Sequence, residues 1–242
     1  SMKQGEWKKS KFMGVEVCHK TLGVIGLGRI GRLAAQRAQG LGMDTIAYDP
    51  FISSDAAQAL GVSLVKFDEL LTRSDYITIH TPKTDATTHL IGTQELEKMK
   101  QGVRIINCAR GGIIDEQALY QAVVEGKVAG AAMDVFEKEP PGDHPLVGLD
   151  AIICTPHLGA STEEAQDNVA MEVTEQILNF FQKGEVRNAV NLPALSPESY
   201  TKLEPYKSLM VKLGRLVAQL AEGGLQQLTI SYSGEVADHE TR

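Results

Sequence analysis

Ionisable and polar side chains recur where four predicted β-strands end. In an open parallel sheet, ligands bind beyond the carboxyl ends of the strands, so these positions face one common site. An arginine, a carboxylate and a histidine gathered there can bind a carboxylate group and move a proton. The four segments are His80-Thr81-Pro82, 108–112 with Arg110, Asp134 with Glu139 shortly after it, and 155–159 with His157.

A glycine motif lies between the first predicted strand and the helix that follows it. Its members are Gly26, Gly28 and Gly31. In this setting the first glycine permits a tight turn, the second lets the backbone approach a pyrophosphate, and the third lets the helix pack closely on the strand. The free N–H groups at the helix start then favour an anion. The same pattern is also compatible with a purely structural turn.

Asp49 ends the next predicted strand and bears on the type of dinucleotide. A carboxylate at this place accepts hydrogen bonds from the adenosine ribose hydroxyls, and its charge repels a 2′-phosphate. The residues that follow it, Pro50, Phe51 and Ile52, supply no compensating arginine. We therefore predict a site for NAD rather than NADP. Arg29, inside the glycine loop, fits a phosphate contact and a solvated side chain equally well.

Strand-like runs alternate with helical patterns over most of the chain, from about residue 21 to about residue 183. This alternation predicts an α/β fold, a Rossmann-type doubly wound parallel sheet with helices on both faces. One helix is expected to begin at Asp115 and to end near Gly126. The predicted strands are 21–27, 44–48, 76–80, 103–107, 128–133 and 151–154.

The last third of the chain has a different pattern. A long helix is predicted over 161–183, opened by a capping box of Ser161 and Glu164. Residues 188–200 contain two prolines and show no periodicity, which is typical of a linker. The predicted domains are therefore an NAD-binding domain over 1–187, a linker over 188–200, and the incomplete start of an α+β regulatory or substrate-binding domain over 201–242.

Composition excludes several classes of protein. Lys and Arg number 24 against 31 Asp and Glu, a formal net charge of −7, which argues against nucleic acid as a partner. No apolar run approaches the roughly 20 residues that span a bilayer. The three cysteines, Cys18, Cys108 and Cys154, have neither disulfide-framework nor zinc-site spacing, so we predict no metal and a cytoplasmic location.

Five blocks, taken in order, resemble the D-isomer-specific 2-hydroxyacid dehydrogenases. The resemblance covers most of the chain. It implies an NAD-dependent enzyme that transfers a hydride directly between C2 of a 2-hydroxy acid and the nicotinamide. The blocks are 26–31 with 48–50, 80–82, 107–112, 134–140 and 156–161.

The family pattern also implies a role for individual residues. Arg110 would bind the substrate carboxylate in a bidentate fork, and His157 would accept the hydroxyl proton during oxidation. Glu139, hydrogen-bonded to His157, would fix the imidazole tautomer. Asp134 is expected near the nicotinamide carboxamide. The residues implied around the cofactor are Gly26, Gly28, Arg29, Ile30, Gly31, Asp49, Thr81, Cys108, Ala109, Arg110, Asp134, His157, Gly159 and Ala160.

Some assignments stay open at the level of sequence. Glu137 competes with Glu139 for the acid role. Cys108 beside Arg110 fits either a redox-sensitive thiol or, more readily, a buried packing thiol. Three further histidines are interpreted as structural or surface residues, although His80 borders the predicted cofactor cleft; the other two are His89 and His144.

Three segments near the end of the chain bear on the substrate. Residues 188–193, 213–216 and 232–236 resemble the linker and first part of an extra domain in family members that act on phosphoglycerate. The resemblance therefore implies oxidation of D-3-phosphoglycerate to 3-phosphohydroxypyruvate, the entry to L-serine biosynthesis. Two alternatives are a glyoxylate or hydroxypyruvate reductase and an NAD(H)-sensing, corepressor-like binding protein.

The resemblance also implies parts that this sequence lacks. Family members carry a substrate-binding lobe ahead of the dinucleotide domain, and only a short segment precedes the first predicted strand here. We expect that lobe to be absent and the helix over 161–183 to lose its packing partner. The expected behaviour is NAD binding with little or no turnover, and a homo-oligomer for the intact protein.

Overall fold

The computed structural model describes residues 2–187, 189, 197–220, 229, 231, 233 and 234. Seven parallel strands in them form a single sheet with the order β3-β2-β1-β4-β5-β6-β7. The order reverses direction beside β1, which is the place where parallel sheets open a crevice for a ligand. The strands are β1 (Thr21–Ile25), β2 (Asp44–Tyr48), β3 (Ser63–Leu64), β4 (Tyr76–Ile79), β5 (Val103–Asn107), β6 (Val128–Met133) and β7 (Ile152–Cys154).

Helices cover both faces of the sheet because alternate residues of β1 point to opposite sides. Leu22 and Val24 pack into an apolar cluster with alanines of α1 and α2. Ile25 packs into a second, larger cluster that contains Leu70 of α3 and Leu119 of α5. The helices of this part are α1 (Arg29–Gly40), α2 (Ser54–Ala59), α3 (Phe67–Arg73), α4 (Thr93–Lys98) and α5 (Glu116–Val124), with 3-10 turns at Met2–Gln4, Lys9–Phe12 and Pro145–Gly148.

The predicted α/β fold class is confirmed, with differences at the ends of elements. Leu27 and His80 belong to predicted strands but lie just outside the observed β1 and β4, because Gly26 turns the chain with a φ of +89° and the loop after β4 begins at His80. Ala151 likewise precedes β7. The two-residue strand Ser63–Leu64 is absent from the prediction, since a pair of residues has no detectable alternation. Helix α5 begins at Glu116, one residue after the predicted start, because Asp115 is its N-cap, with the carboxylate accepting from the Ala118 N–H.

Two long helices follow the sheet, α6 (Glu163–Lys183) and α7 (Pro197–Leu220). The first turn of α6 is capped by the Thr162 hydroxyl, which accepts from the Ala165 N–H at 3.1 Å. The prediction of Ser161 as the capping residue is therefore wrong by one position. No residue of α6 is buried.

Helix α7 begins inside the segment that was predicted as a linker. Residues 197–200 are the first turn of α7, where proline is tolerated because a helix start has no partner for its N–H. Residues 188 and 190–196 lie outside the described part of the chain, as do most of 221–242. The chain divides into two compact units, Ser1–Ala165 and Gln166–Arg242. The division into domains at 187 and 200 stays a prediction.

None of the helices in the described residues combines the length and apolar character needed to cross a membrane.

Candidate active site

The glycine loop after β1 has the spatial properties that a dinucleotide requires. A Cβ on Gly26 would lie 2.7 Å from the His80 carbonyl oxygen, and one on Gly31 would overlap the Gly26 carbonyl. A Cβ on Gly28, the N-cap of α1, would meet no atom within 4 Å. Gly26 and Gly31 therefore permit close packing of the protein on itself, whereas Gly28 leaves open space at the start of a helix.

Asp49 is held directly against this loop. Its Oδ2 accepts from the Leu27 N–H at 2.7 Å, and its Oδ1 accepts from the Phe51 N–H at 2.9 Å. Each carboxylate oxygen has a second lone pair that can accept from a ligand hydroxyl. Arg29 and Ile30, in the first turn of α1, are exposed. Both interpretations of Arg29 therefore stay open.

Thr81 carries a buried polar atom without a partner. Its Oγ1 is the one side-chain atom of this kind in the described residues, and its Cγ2 would lie 2.8 Å from a Cβ on Gly26. A buried hydroxyl that lacks a hydrogen bond is costly unless a ligand or water supplies one. The neighbouring His80 is half-buried, and burial lowers the pKa of its imidazole, so it is neutral at physiological pH. Its Nε2 lies 3.0 Å from the Thr78 hydroxyl.

Asn107 fixes the loop that carries Arg110. This buried amide donates to the Arg110 carbonyl at 3.0 Å and accepts from the Ala109 N–H at 3.1 Å. Arg110 itself is exposed, and its guanidinium donates to the Ala109 carbonyl at 2.6 Å. Among the described residues, no carboxylate lies within ion-pair distance of it. The guanidinium is therefore free to take a carboxylate ligand.

Cys108 differs from the prediction of a buried packing thiol. Cys108 is exposed and lies in the loop directly after β5. Partial burial of the sulfur and the negative charge of Asp134 both raise the pKa of the thiol. Raising the pKa disfavours the reactive thiolate, so this environment does not favour a redox-sensitive cysteine either.

Asp134 is buried at the end of β6 and holds the loop after β7. Its Oδ1 accepts from the Leu158 N–H at 2.7 Å and from the Thr155 hydroxyl, and its Oδ2 accepts from the Gly159 N–H at 2.9 Å. Burial alone would raise the pKa of this carboxyl, but these hydrogen bonds outweigh burial and lower it. The carboxylate is thus ionised and holds the Thr155 side chain before His157 and the backbone N–H groups of Leu158 and Gly159 after it.

His157 and Glu139 form a pair at this same edge. The imidazole Nδ1 lies 2.8 Å from Glu139 Oε2, and the Phe136 N–H donates to Glu139 Oε1 at 3.0 Å. The contact with His157 and the bond from Phe136 lower the pKa of Glu139. His157 has a φ of +55°, a left-handed conformation that costs a non-glycine residue about 1–2 kcal/mol. Such strain is most often retained at functional sites.

Glu137, the competing acid, has another partner. Its Oε1 lies 2.8 Å from His89 Nε2, and both side chains are partly exposed. The structure therefore brings Glu139 and not Glu137 to His157.

Two supporting residues, Asn107 and Glu116, carry no role in the sequence-based prediction, and Asp134 is expected there only near the nicotinamide carboxamide. Asn107 and Asp134 hold the two loops of the site through backbone N–H groups, and Glu116 accepts from the Glu137 N–H at 2.6 Å. The position of Asn107 at a strand end was a usable signal. Asp134 and Glu116 bond to residues more than 20 positions away, which spacing alone does not reveal.

The loops after β1, β4, β5, β6 and β7 all leave the same edge of the sheet. They place along it a helix start that favours an anion, the Arg110 guanidinium, which has no carboxylate partner among the described residues, and a histidine–carboxylate pair. This combination can hold a dinucleotide, bind a carboxylate and transfer a proton. The described residues contain no cluster of three or more His, Cys, Asp or Glu that fits a metal ion.

The chain is similar over its whole length to curated proteins. The D-3-phosphoglycerate dehydrogenases of Archaeoglobus fulgidus and Methanocaldococcus jannaschii are 49% and 48% identical to the chain over 242 residues. The match covers 100% of this chain and 46% of each relative. The chain thus spans about half the length of the curated relatives that it matches.

Solved structures share the fold at lower identity. A glyoxylate reductase from Paecilomyes thermophila is 37% identical with a TM-score of 0.73, over 78% of this chain and 58% of the other. A D-2-hydroxyisocaproate dehydrogenase is 30% identical with a TM-score of 0.71, over 76% and 60%. Residues 1–159 match the family described as D-isomer specific 2-hydroxyacid dehydrogenase, NAD binding domain. The chain therefore belongs to the D-isomer-specific 2-hydroxyacid dehydrogenases and contains their NAD-binding domain.

Proposed function

We propose that this protein oxidises D-3-phosphoglycerate to 3-phosphohydroxypyruvate with NAD, the first step of L-serine biosynthesis. The observation that carries the chemistry is the 2.8 Å contact between His157 Nδ1 and Glu139 Oε2 at the ligand-binding edge of the sheet. The curated relatives at 48–49% identity, all named D-3-phosphoglycerate dehydrogenase, support the choice of substrate.

The residues at the edge fit NAD. The open space at Gly28 suits a pyrophosphate, and the Asp49 carboxylate suits the adenosine ribose while repelling a 2′-phosphate. The unpartnered Thr81 hydroxyl offers a further hydrogen bond to the cofactor. When bound, NAD supplies the acceptor for the hydride that leaves C2 of the substrate. Asp134 is proposed near the carboxamide end, while its carboxylate also holds the loop of His157.

The proton and the substrate are handled by three side chains. His157, whose Nδ1 faces Glu139, presents Nε2 as the base for the C2 hydroxyl proton. Glu139 stabilises the imidazolium that forms and fixes the ring orientation. Arg110 takes the substrate carboxylate as a two-point contact, which a guanidinium makes better than an ammonium.

The two alternative functions predict different behaviour. A glyoxylate or hydroxypyruvate reductase shows no preference for a phosphorylated ligand, and an NAD(H)-sensing binding protein does not need His157. The solved glyoxylate reductase is less similar to this chain, at 37%, than the phosphoglycerate dehydrogenases. A homo-oligomer and a cytoplasmic location stay predictions.

A binding experiment tests the proposal on the chain itself. NADH-saturated chain is titrated with 3-phosphoglycerate, D-glycerate and glyoxylate, for the wild type, Arg110→Lys and the surface control Arg73→Lys. We expect 3-phosphoglycerate to bind tightest, with about a tenfold loss in Arg110→Lys, equivalent to about 1.4 kcal/mol, and none in the control. Equal affinity for all three ligands, or no effect of Arg110→Lys, would contradict the proposal.

A further inference from the structure

Glu116 is a buried carboxylate to which the proposed reaction gives no task. It is the first residue of α5, and its side chain is 8% exposed. One oxygen, Oε1, accepts from the Glu137 N–H at 2.6 Å, and the other, Oε2, lies 3.1 Å from His144 Nε2. Both oxygens of a buried carboxylate are thus committed to named partners, which is the arrangement that makes its burial tolerable.

The bond to Glu137 fixes the turn that presents Glu139. In this turn two consecutive amides are held by carboxylates, because the Phe136 N–H donates to Glu139 and the Glu137 N–H donates to Glu116. Glu139 can keep both contacts, Oε1 with the Phe136 N–H and Oε2 with His157, only if the backbone between 136 and 139 keeps its conformation. The Glu116 carboxylate holds that backbone at the Glu137 N–H.

The same turn also bears on the Arg110 loop. A Cβ on Gly111 would overlap the Phe136 carbonyl oxygen, so the two backbones are in direct contact. A shift of Phe136 would therefore displace the residue next to Arg110 as well as Glu139. Glu116 is linked in this way to two of the three residues proposed to act on the substrate.

His144 fixes the other oxygen of Glu116. Its Nδ1 accepts from the Leu146 N–H at 3.3 Å, so the ring proton sits on Nε2 and is donated to Glu116. The His144 ring also packs edge-on against Phe136, with centroids 6.0 Å apart. The charged or titratable groups that face Glu116 are His144, Glu137 and His89.

We propose that Glu116, oriented by His144, is a positioning residue that holds Glu139 against His157 through the Glu137 backbone. This inference rests on the proposed function only in the task it gives to the Glu139–His157 pair. Burial raises the pKa of Glu116, and its bond from Glu137 opposes that rise.

The test follows the Glu139 carboxyl directly by carbon-13 NMR titration of the full chain. Glu116→Leu removes both acceptors while filling the volume, and Glu116→Gln keeps a carbonyl that can accept from Glu137. The control is Glu125→Leu at the exposed end of the same helix. We expect the pKa of Glu139 to rise in Glu116→Leu toward its value in His157→Asn, where the contact is absent. Glu125→Leu should stay close to the wild type, and Glu116→Gln, whose amide cannot accept from both Glu137 and His144, should fall between the wild type and Glu116→Leu.

A folded Glu116→Leu variant with an unchanged Glu139 pKa would overturn the inference, whatever its melting temperature. A second measurement uses only the wild type and so does not depend on the folding of a variant. If Glu116 acts through the Glu137 backbone, the Glu137 amide proton and the Glu139 carboxyl carbon both shift at the pH where Glu116 titrates. A Glu139 carboxyl carbon signal that does not shift at that pH would also overturn the inference.

NADH binding by the same samples separates this inference from the proposed function. If the wild type fails to bind NADH, the proposed function fails, while the coupling of Glu116 to Glu139 is still decided by NMR. If NADH binds and the Glu139 pKa does not respond, only the positioning role is lost.

Discussion

The loop after β1 holds its shape through glycines, whereas the loops after β6 and β7 hold theirs through buried carboxylates. Gly26 and Gly31 let backbone pack on backbone, and two side chains bond to Leu27 of this loop: Asp49 accepts from its N–H and Arg32 donates to its carbonyl. By contrast, Asp134 and Glu116 accept backbone N–H groups that a loop would otherwise leave unpaired. Packing at the glycines needs only space and fixed spacing along the chain. Holding a loop by a buried carboxylate needs long-range hydrogen bonds between folded elements.

This difference has consequences for stability and for pH. The close packing at Gly26 and Gly31 does not depend on ionisation, but it leaves no room for a Cβ at either position. A loop held by carboxylates is less sensitive to the size of its side chains. Its stability depends instead on the ionisation of those carboxylates. Each region can therefore be broken by a perturbation that leaves the other intact.

The largest expected effect is that of Gly31→Ala. Its Cβ would overlap the Gly26 carbonyl, so the helix must move from the strand, at a cost of about 3 kcal/mol in the free energy of unfolding. Gly28→Ala is the matched control, because its Cβ meets nothing within 4 Å. We expect it to cost about 0.5 kcal/mol, as a weaker N-cap, and to weaken NADH binding. Urea denaturation measures the free energy of unfolding of both variants. Equal losses of stability in Gly31→Ala and Gly28→Ala would contradict the close packing described at Gly31.

Asp134→Asn should destabilise the chain by about 2 kcal/mol at neutral pH, because an amide cannot accept from both Leu158 and Gly159. The lowered pKa of Asp134 also sets a pH dependence. The stability it contributes is present above its unfolded pKa, near 3.8, and is lost as the pH falls through the lower folded pKa.

The matched control for that variant is Asp143→Asn, an exposed aspartate. Chemical denaturation between neutral pH and pH of about 3 compares the variants with the wild type. The difference between Asp134→Asn and the wild type should shrink on acidification, while Asp143→Asn follows the wild type. A constant difference across this range would show that the ionised carboxylate is not what holds the loop.

The smallest expected effect concerns Cys108. The Asp134 charge is one cause of its raised pKa, whereas the raised pKa of Cys154 comes from burial alone. Asp134→Asn should therefore speed alkylation of Cys108 by iodoacetamide at neutral pH, with Cys154 as the internal control. The gain should stay below about tenfold, since a charge acts on a partly exposed group by at most about 1 kcal/mol. Peptide mass spectrometry gives both rates, and an unchanged ratio would exclude the coupling.

Most of the sheet could be predicted because buried parallel strands are continuous apolar runs. The strand at 103–107 was predicted with its observed bounds, and the glycine loop was recognisable because its function requires small residues at fixed spacing. The short strand Ser63–Leu64 and the start of α7 at Pro197 could not be predicted, since neither has a local pattern strong enough to mark it.

The site itself could be predicted in part. Arg110, Glu139 and His157 lie in sequence blocks that resemble those of the family, so their roles could be predicted from that resemblance. The exposure of Cys108 depends on how the loop after β5 turns, and the supporting roles of Asp134 and Glu116 depend on which backbone N–H groups face them. Those facts belong to the packed structure and have no counterpart in local sequence.

The central claim is that the carboxyl edge of the sheet binds a dinucleotide that Asp49 selects. Isothermal titration of the chain with NADH and then with NADPH tests it most directly. The expected result is NADH binding that is tighter than NADPH binding by at least about tenfold, or about 1.4 kcal/mol. Equal affinities, or no NADH binding by a folded chain, would contradict it.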